Sequence, residues 1–487
     1  MKMKRRFGVV PVLFFTVLGS LWAGGNQQGG GTDKPVELVW SYVTWGMTPA
    51  DNPKVEAAIN EYLAPKGLRV KLQPVGIAER VQKQTLTLSS PSEPLDLFTL
   101  WGGSELNSAY QRGQIIPLDD LIQQYGKELE REVGQTYLSA GKVNGEIYGV
   151  PSLKDQASNF GFVITKEYVD KYNIDLSKVK TIQDITPILA LIKQNEPDFY
   201  PFIPNSLTIP LQHDTLGNDL GVLIGDNYNV VNLYESKEYR DLAALVRSWY
   251  QAGYIRRDAA TVTENNLMQV RANTGCAYFT YGKPGVEMED AVTAAHELLI
   301  VDFHQAFTAT SSLQTVMWAI PLNSKHPDKA MQLMNLLYSD PVLINLIDWG
   351  IEGTHYVKKP DGTITYPAGM TAANSPYMLN MTWQLGNQFL SHVWEGLPPN
   401  YYETLRAFNN SAKISPAMGF FFDTSRVQSQ ISALTAVVEE YNMGFTTGSL
   451  DLSVLDEFNA KLKAAGLNDV IVEKQRQLDA WRTANKK

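Results

Sequence analysis

Apolar and polar positions along this chain alternate in two rhythms. PVELVWSYV (35–43), GLRVKLQPV (67–75) and LDLFTLWGG (95–103) read as strands. Between them, Val55, Ile59, Tyr62 and Leu63 recur at helical spacing, with Asn52 as the expected cap and Pro53 at the first helical position, and AERVQKQTLTL (78–88) reads as a second helix. Strand, helix, strand, helix, strand predicts an α/β layer with a largely parallel sheet.

The same reading continues downstream. GKVNGEIYGVP (141–151) predicts a hairpin, because Asn144-Gly145 supplies two positions that tolerate positive φ. FGFVIT is a strand followed by a helix at KEYVDKY, and Thr181 with Asp184 caps a helix that runs to Asn195. Residues 238–253 form a strongly amphipathic helix ended by Gly253. CAYFTYG, ELLIVDF and TVMWAIPL are strands, and Pro327 and Pro341 open two consecutive helices that Gly350 closes. The last third is helical over about 400–410, 425–444, 451–465 and 469–484. No repeat of fixed period occurs, and no linker marks a domain boundary, which fits lobes joined by extended crossover strands.

Length and composition narrow the class. At 487 residues the chain exceeds one ordinary core and implies two or three domains, or two large lobes. Hydrophobic residues at 44% and charged residues at 19% describe a folded chain. The net charge is −9 and no basic run follows residue 6, so no nucleic-acid partner is expected. MKMKRRFGVVPVLFFTVLGSLWAGG has the basic start and short apolar run of a secretory signal peptide, with cleavage expected after Ala23. The large Leu21, three positions before that cut, leaves an uncleaved anchor as the alternative. Residues 24–34 form a glycine-rich leader. The single cysteine, Cys276, sits in an apolar strand and reads as a small buried hydrophobe. A periplasmic or extracellular location follows, with no lipid-accepting cysteine after the signal segment.

Motifs for chemistry are absent. His296-Glu297 lacks the second histidine of a zinc protease helix, and there is no nucleophile elbow, phosphate loop or dinucleotide fingerprint. No catalytic residue, metal site or cofactor is assigned. Aromatic side chains are abundant instead: 10 Trp, 23 Tyr and 18 Phe. Trp40, Tyr42 and Trp45 lie at or after the first strand, Trp101 follows the third, and Tyr281 follows CAYFT. Ligands of α/β sheets bind beyond the carboxyl ends of strands. Trp45, Trp101 and Tyr281 are therefore candidates to stack on a sugar ring, and core packing is the competing role.

Three segments carry a family resemblance: NGEIYGVPSLKDQASNFGFVITKEYVDKY, VRANTGCAYFTYGKPG and MWAIPLNSKHPDKAMQLMNLLYSDPVLINLIDWGIEGTHY. The chain resembles family-1 extracellular solute-binding proteins, the carbohydrate-capturing components of ABC importers and distant relatives of maltose-binding protein. It is closest in pattern to a subfamily with an extended C-terminal segment. The resemblance implies a type II periplasmic binding protein fold, with lobes at 35–152 plus 313–370 and 153–312 plus 371–487. Crossings are implied near 151–156, 310–315 and after the 349–367 turn. It implies a carbohydrate ligand, permease subunits as partners, and a monomer. Lys154 and Asp155 at the first crossing, and Gln314 and Trp318 at the second, become candidate ligand contacts.

DWGIEGTHYVKKPDGTITYP (348–367) gathers Asp348, Glu352, His355 and Tyr356. With no partner histidine in view, it reads as a helix end, a glycine turn and a hairpin tip at Asp361-Gly362, with ligand contact by Glu352 or His355 as the alternative. Two other functions stay open: an exported carbohydrate-active hydrolase with paired carboxylates, and a binding protein for a peptide or other non-sugar solute.

Overall fold

The structure is a computed structural model in which residues 34–90, 92–204 and 211–487 are described. The signal segment and nearly all of the leader lie outside them. Pro35–Lys487 forms one compact unit, described by itself.

The chain opens with β1 (Val36–Thr44), α1 (Asn52–Leu63), β2 (Leu68–Gly76), α2 (Arg80–Ser89), β3 (Phe98–Leu100), α3 (Gly103–Gln111), α4 (Asp119–Tyr125) and α5 (Lys127–Leu138). β1 and β2 run parallel from Val36↔Leu68 to Thr44↔Gly76, and Trp40 bridges Leu97 in parallel. Asp51, not Asn52, precedes the first helix; the Asn52 Oδ1 accepts from the Tyr42 hydroxyl (2.9 Å), so its side chain serves the core rather than the helix end. The expected hairpin forms from β4 (Lys142–Val143) and β5 (Glu146–Ile147), with φ 52° at Asn144 and 95° at Gly145.

After β6 (Val150–Pro151) the chain crosses to a second sheet, starting with β7 (Asn159–Thr165), α6 (Lys166–Lys171), α7 (Ile185–Asn195) and β8 (Phe202–Ile203). A short antiparallel pair, β9 (His213–Asp214) and β10 (Leu223–Ile224), precedes α8 (Lys237–Gln251) and α9 (Asn266–Arg271). β11 (Ala277–Gly282), α10 (Val286–Ala294) and β12 (Leu298–Asp302) complete a sheet of order β12-β7-β11-β8. β7 pairs antiparallel with both neighbours, so this sheet is mixed rather than largely parallel. The Thr181–Asp184 capping box forms as expected, on a 3-10 turn ahead of α7.

The return path runs through β13 (Phe307–Thr308) and α11 (Thr310–Leu313) to β14 (Met317–Ala319), which re-enters the first sheet antiparallel between β3 and β6. α12 (Pro327–Ser339) and α13 (Pro341–Trp349) follow, then β15 (Val357–Lys358) and β16 (Ile364–Thr365). A long irregular stretch leads to α14 (Tyr401–Ser411), β17 (Lys413–Ile414), α15 (Gln428–Thr446), α16 (Val454–Ala464) and α17 (Leu467–Asn485).

Three crossings lie side by side. The Ser152 N–H donates to the Val316 carbonyl (3.0 Å), the Leu153 N–H donates to Gly386 (2.6 Å), and the Gln388 N–H donates back to Leu153 (2.9 Å). On either side sit separate apolar cores. One draws on 38–153 and 318–385, and another on 160–279. A third joins 216–243 to the C-terminal helices from Ala417 to Leu478. Burial on this scale, at about 25 cal/mol per Å² of apolar surface, is what holds each layer to its sheet.

Candidate functional site

Two features flank the crossings. The first is a cluster of three tryptophans. Trp45 lies just beyond β1 and is 62% exposed. Its ring centroid is 6.2 Å from Trp101 and 6.3 Å from Trp383, and the latter two are 5.4 Å apart. Trp101 is held from behind: its backbone N–H donates to Glu105 (2.8 Å), which takes two bonds from the Arg80 guanidinium, itself 4.8 Å from the indole centroid, and its indole N–H donates to the Thr99 hydroxyl (3.1 Å). This cation–π and ion-pair backing fixes the ring, which stays partly exposed. Gly102 and Gly103 bring the chain back against the second crossing. The Gly102 N–H donates to the Gln314 carbonyl (2.9 Å), and a Cβ on Gly103 would sit 2.3 Å from the Gln314 Oε1.

Trp383 carried no strand signal in the sequence. It stands in a 3-10 turn (Thr382–Gln384) fixed by a fully buried glutamine. The Gln384 Oε1 accepts from the Val43 N–H (3.1 Å) and its Nε2 donates to the Val43 carbonyl (2.8 Å), as a neighbouring strand would. That bond pair places Trp383 beside Trp45.

The second feature is a cavity of about 420 Å³ on the other sheet's side of the crossings. Tyr281, Asn159, His213, Asp219, His304 and Ser312 are among its walls. Its size is that of a small-molecule site. Tyr281 is half exposed at the end of β11. The His213 Nδ1 donates to the Leu211 carbonyl (2.8 Å) while its Nε2 faces Asp219 Oδ1 (3.2 Å). Burial works against the charged imidazole, but the Asp219 carboxylate and the Leu211 carbonyl outweigh it and raise the His213 pKa. The wall therefore offers a histidine–carboxylate pair, amides and hydroxyls beside an aromatic face.

The remaining sequence candidates are committed elsewhere. Trp318 is a core residue, fully buried, with its indole 6.2 Å from Trp40 and its N–H donated to the Gln384 carbonyl (2.7 Å). β14 is buried on both faces, so strand alternation does not distinguish its inner side. Gln314 stands at the crossing, where its amide donates to the Ala140 carbonyl (2.9 Å) and its side chain lines a separate cavity of about 660 Å³. Trp40 and Tyr42 are buried too.

Lys154 and Asp155 pair with each other (2.6 Å), and Lys283 joins Asp155 (3.1 Å) and Glu289 (2.9 Å). Burial opposes the Asp155 charge, yet the two ammonium groups outweigh it and hold its carboxyl below the ordinary range. Because Asp155 lies between β6 and β7 while Lys283 follows β11, the triad ties the first crossing to the second sheet. Asp155→Asn is expected to cost about 2 kcal/mol in urea unfolding, since it leaves the partly buried Lys154 without a carboxylate and Lys283 with Glu289 alone.

The 348–367 stretch is a turn. α13 ends at Trp349, Gly350 takes φ 84°, and Asp361-Gly362 tips the β15–β16 hairpin. The buried His355 Nδ1 accepts from the Ile351 N–H (2.9 Å), so the ring proton is on Nε2, donated to Asp51 (3.1 Å). Glu352 is exposed and pairs with Lys358 (2.9 Å). It lines neither feature described above. Among the described residues no group of three His, Cys, Asp or Glu is placed to hold a metal, and no helix is long and apolar enough to cross a membrane.

Two α/β lobes on three adjacent crossings, with a tryptophan cluster and a polar cavity beside them, define a solute-binding protein of the type II fold. The chain belongs to the bacterial extracellular solute-binding protein family, whose model matches residues 44–343. A second model, a domain of unknown function (DUF3502), matches residues 416–483. A carbohydrate ABC transporter substrate-binding protein of Streptococcus pneumoniae serotype 4 is 29% identical over 480 residues, covering 95% of this chain and 94% of that protein. The crystal structure of the N-glycan transport solute binding protein NgtS from Streptococcus pneumoniae superposes with a TM-score of 0.81 at 27% identity, covering 93% of this chain and all of that one. NgtS in complex with Man5GlcNAc gives 0.69 at 27% identity, covering 93% of this chain and 99% of that one.

Proposed function

We propose that this protein is the substrate-binding component of an ABC importer, capturing an oligosaccharide between its lobes and delivering it to a membrane permease without chemical change. The carrying observation is the pair of faces beside the crossings: three mutually packed tryptophans on one lobe and a polar cavity with Tyr281 on the other. Indole and phenol faces stack on pyranose rings, while buried amides and carboxylates take up hydroxyls. The similarity of nearly the whole chain to an N-glycan transport protein supports a mannose- and N-acetylglucosamine-containing glycan as the ligand class.

Closure of the lobes on the glycan would be driven by contacts the ligand makes only in the closed form. The crossings, together with the bonds of Ile364 to Val393 and Glu395, support lobes at about 35–152 plus 313–395 and 153–312 plus 396–487. Trp45, Trp101, Trp383 and Tyr281 are the proposed stacking groups, and His213, Asp219 and Asn159 the proposed polar contacts. The protein acts outside the cytoplasm as a monomer.

A thermal-shift screen tests the ligand class, because a ligand bound only by the folded state raises apparent stability. Man1GlcNAc and Man5GlcNAc are expected to raise the melting temperature, and peptide mixtures are not. A shift with peptides alone would refute the carbohydrate reading.

A further inference from the structure

One side chain from the C-terminal segment gathers the polar atoms of the loop that walls the cavity. Lys474, on α17, is fully buried. Its Nζ shares its N–H donors among the carbonyls of Thr215 (3.2 Å), Asn218 (3.1 Å) and Gly221 (2.7 Å) and the Asn218 Oδ1 (3.0 Å). Four oxygens of the 215–221 loop thus converge on a cation 253 positions beyond Gly221, with the Phe422 ring 5.0 Å away on the apolar side. Burial pulls the Lys474 pKa down to about 7, and the charges of Asp219 and Asp214 act against that fall.

The loop requires such a clamp. Leu216 sits at φ 49°, a left-handed conformation that an L side chain resists, and persists only where its surroundings over-determine it. The Asp214 Oδ1 accepts from the Leu216 N–H (2.8 Å), and the Asp214 Oδ2 accepts from the Ser415 hydroxyl. At Gly221, a Cβ would meet Ile471 of α17 at 3.2 Å, so the loop lies directly on that helix. The same loop presents Thr215 and Asp219 to the 420 Å³ cavity, and Asp219 holds His213 there.

We infer that Lys474 is a positioning residue for ligand binding: the segment matched by the domain of unknown function acts as a clamp that fixes the 215–221 loop, and through Asp219 the His213 wall, in its binding-competent form. The ligand clause of this inference rests on the carbohydrate reading above; the clamp clause does not.

Lys474→Met retains the apolar stem and removes the donors. Amide exchange over 211–221, measured without sugar, is expected to accelerate about tenfold as the local opening energy falls, while β7 and β11 stay protected as in the parent. Affinity for Man1GlcNAc is expected to fall by about the same factor, since only the clamped fraction binds. Lys474→Gln, which keeps an amide donor, is expected to give intermediate values, and it decides the matter if Lys474→Met does not fold. Exchange over 211–221 that matches the parent overturns the clamp. Faster exchange with affinity unchanged overturns its part in binding. A loosened loop in a protein that binds neither Man1GlcNAc nor Man5GlcNAc refutes the carbohydrate reading and upholds the clamp.

Discussion

Trp383→Ala is expected to weaken glycan binding about 30-fold, roughly 2 kcal/mol, the cost typical of removing a central aromatic anchor. Trp101→Ala should have a similar effect, because the two rings pack 5.4 Å apart and each supports the other's orientation. Both variants should melt close to the parent temperature, since their rings belong to the edge of the core rather than its centre. Trp318→Ala should behave in the opposite way. It empties a fully buried site between Trp40 and Gln384, and is expected to cost about 3–5 kcal/mol of stability. Calorimetric titration and urea unfolding of the three variants separate these outcomes. Equal affinity losses with equal stability losses would mean that the tryptophan cluster is only packing.

The second large effect concerns Asp348. Its carboxyl is fully buried at the end of α13, accepting from the Met381 N–H (2.8 Å) and facing the Ser391 hydroxyl (3.5 Å). Burial pushes its pKa up to about 7, with those hydrogen bonds acting against the rise. The folded pKa therefore exceeds the unfolded value, and the folded state holds the extra proton. Stability from this group is fully present below about pH 4, falls as pH rises through 7, and is flat above.

Asp348→Asn keeps the shape and the acceptor for Met381 without a titrating proton. The stability of the Asp348→Asn variant minus that of the parent is expected to rise by a few kcal/mol between pH 4 and pH 8, following the same linkage. Urea unfolding at those two pH values measures it. A difference that does not change with pH would show that Asp348 keeps an ordinary carboxyl.

Much of the chain could be read in advance because local signals matched the global fold. The Asn144-Gly145 hairpin, the Thr181–Asp184 box and the two proline-started helices all form where their residues demand. The mixed second sheet was not legible. Antiparallel pairing of β7 with β11 and β12 depends on which strands meet after a crossover, and the apolar runs look alike either way. Among the proposed contacts, Trp45, Trp101 and Tyr281 could be nominated from the sequence because they end strands. Trp383 was not, because its place depends on Gln384 bonding Val43, 341 positions away. His213 and Asp219, and the clamp from Lys474, are likewise products of tertiary meeting. Trp318 shows the converse: a strand buried on both faces gives no sign of which side chains reach a cleft.

The protein is proposed to capture a glycan without chemistry. Isothermal titration of the protein with Man5GlcNAc, followed by mass spectrometry of the recovered sugar, tests it most directly. The expected result is saturable one-to-one binding with the glycan returned intact. Either the absence of binding to Man5GlcNAc and Man1GlcNAc alike, or recovery of a shortened glycan, would contradict it.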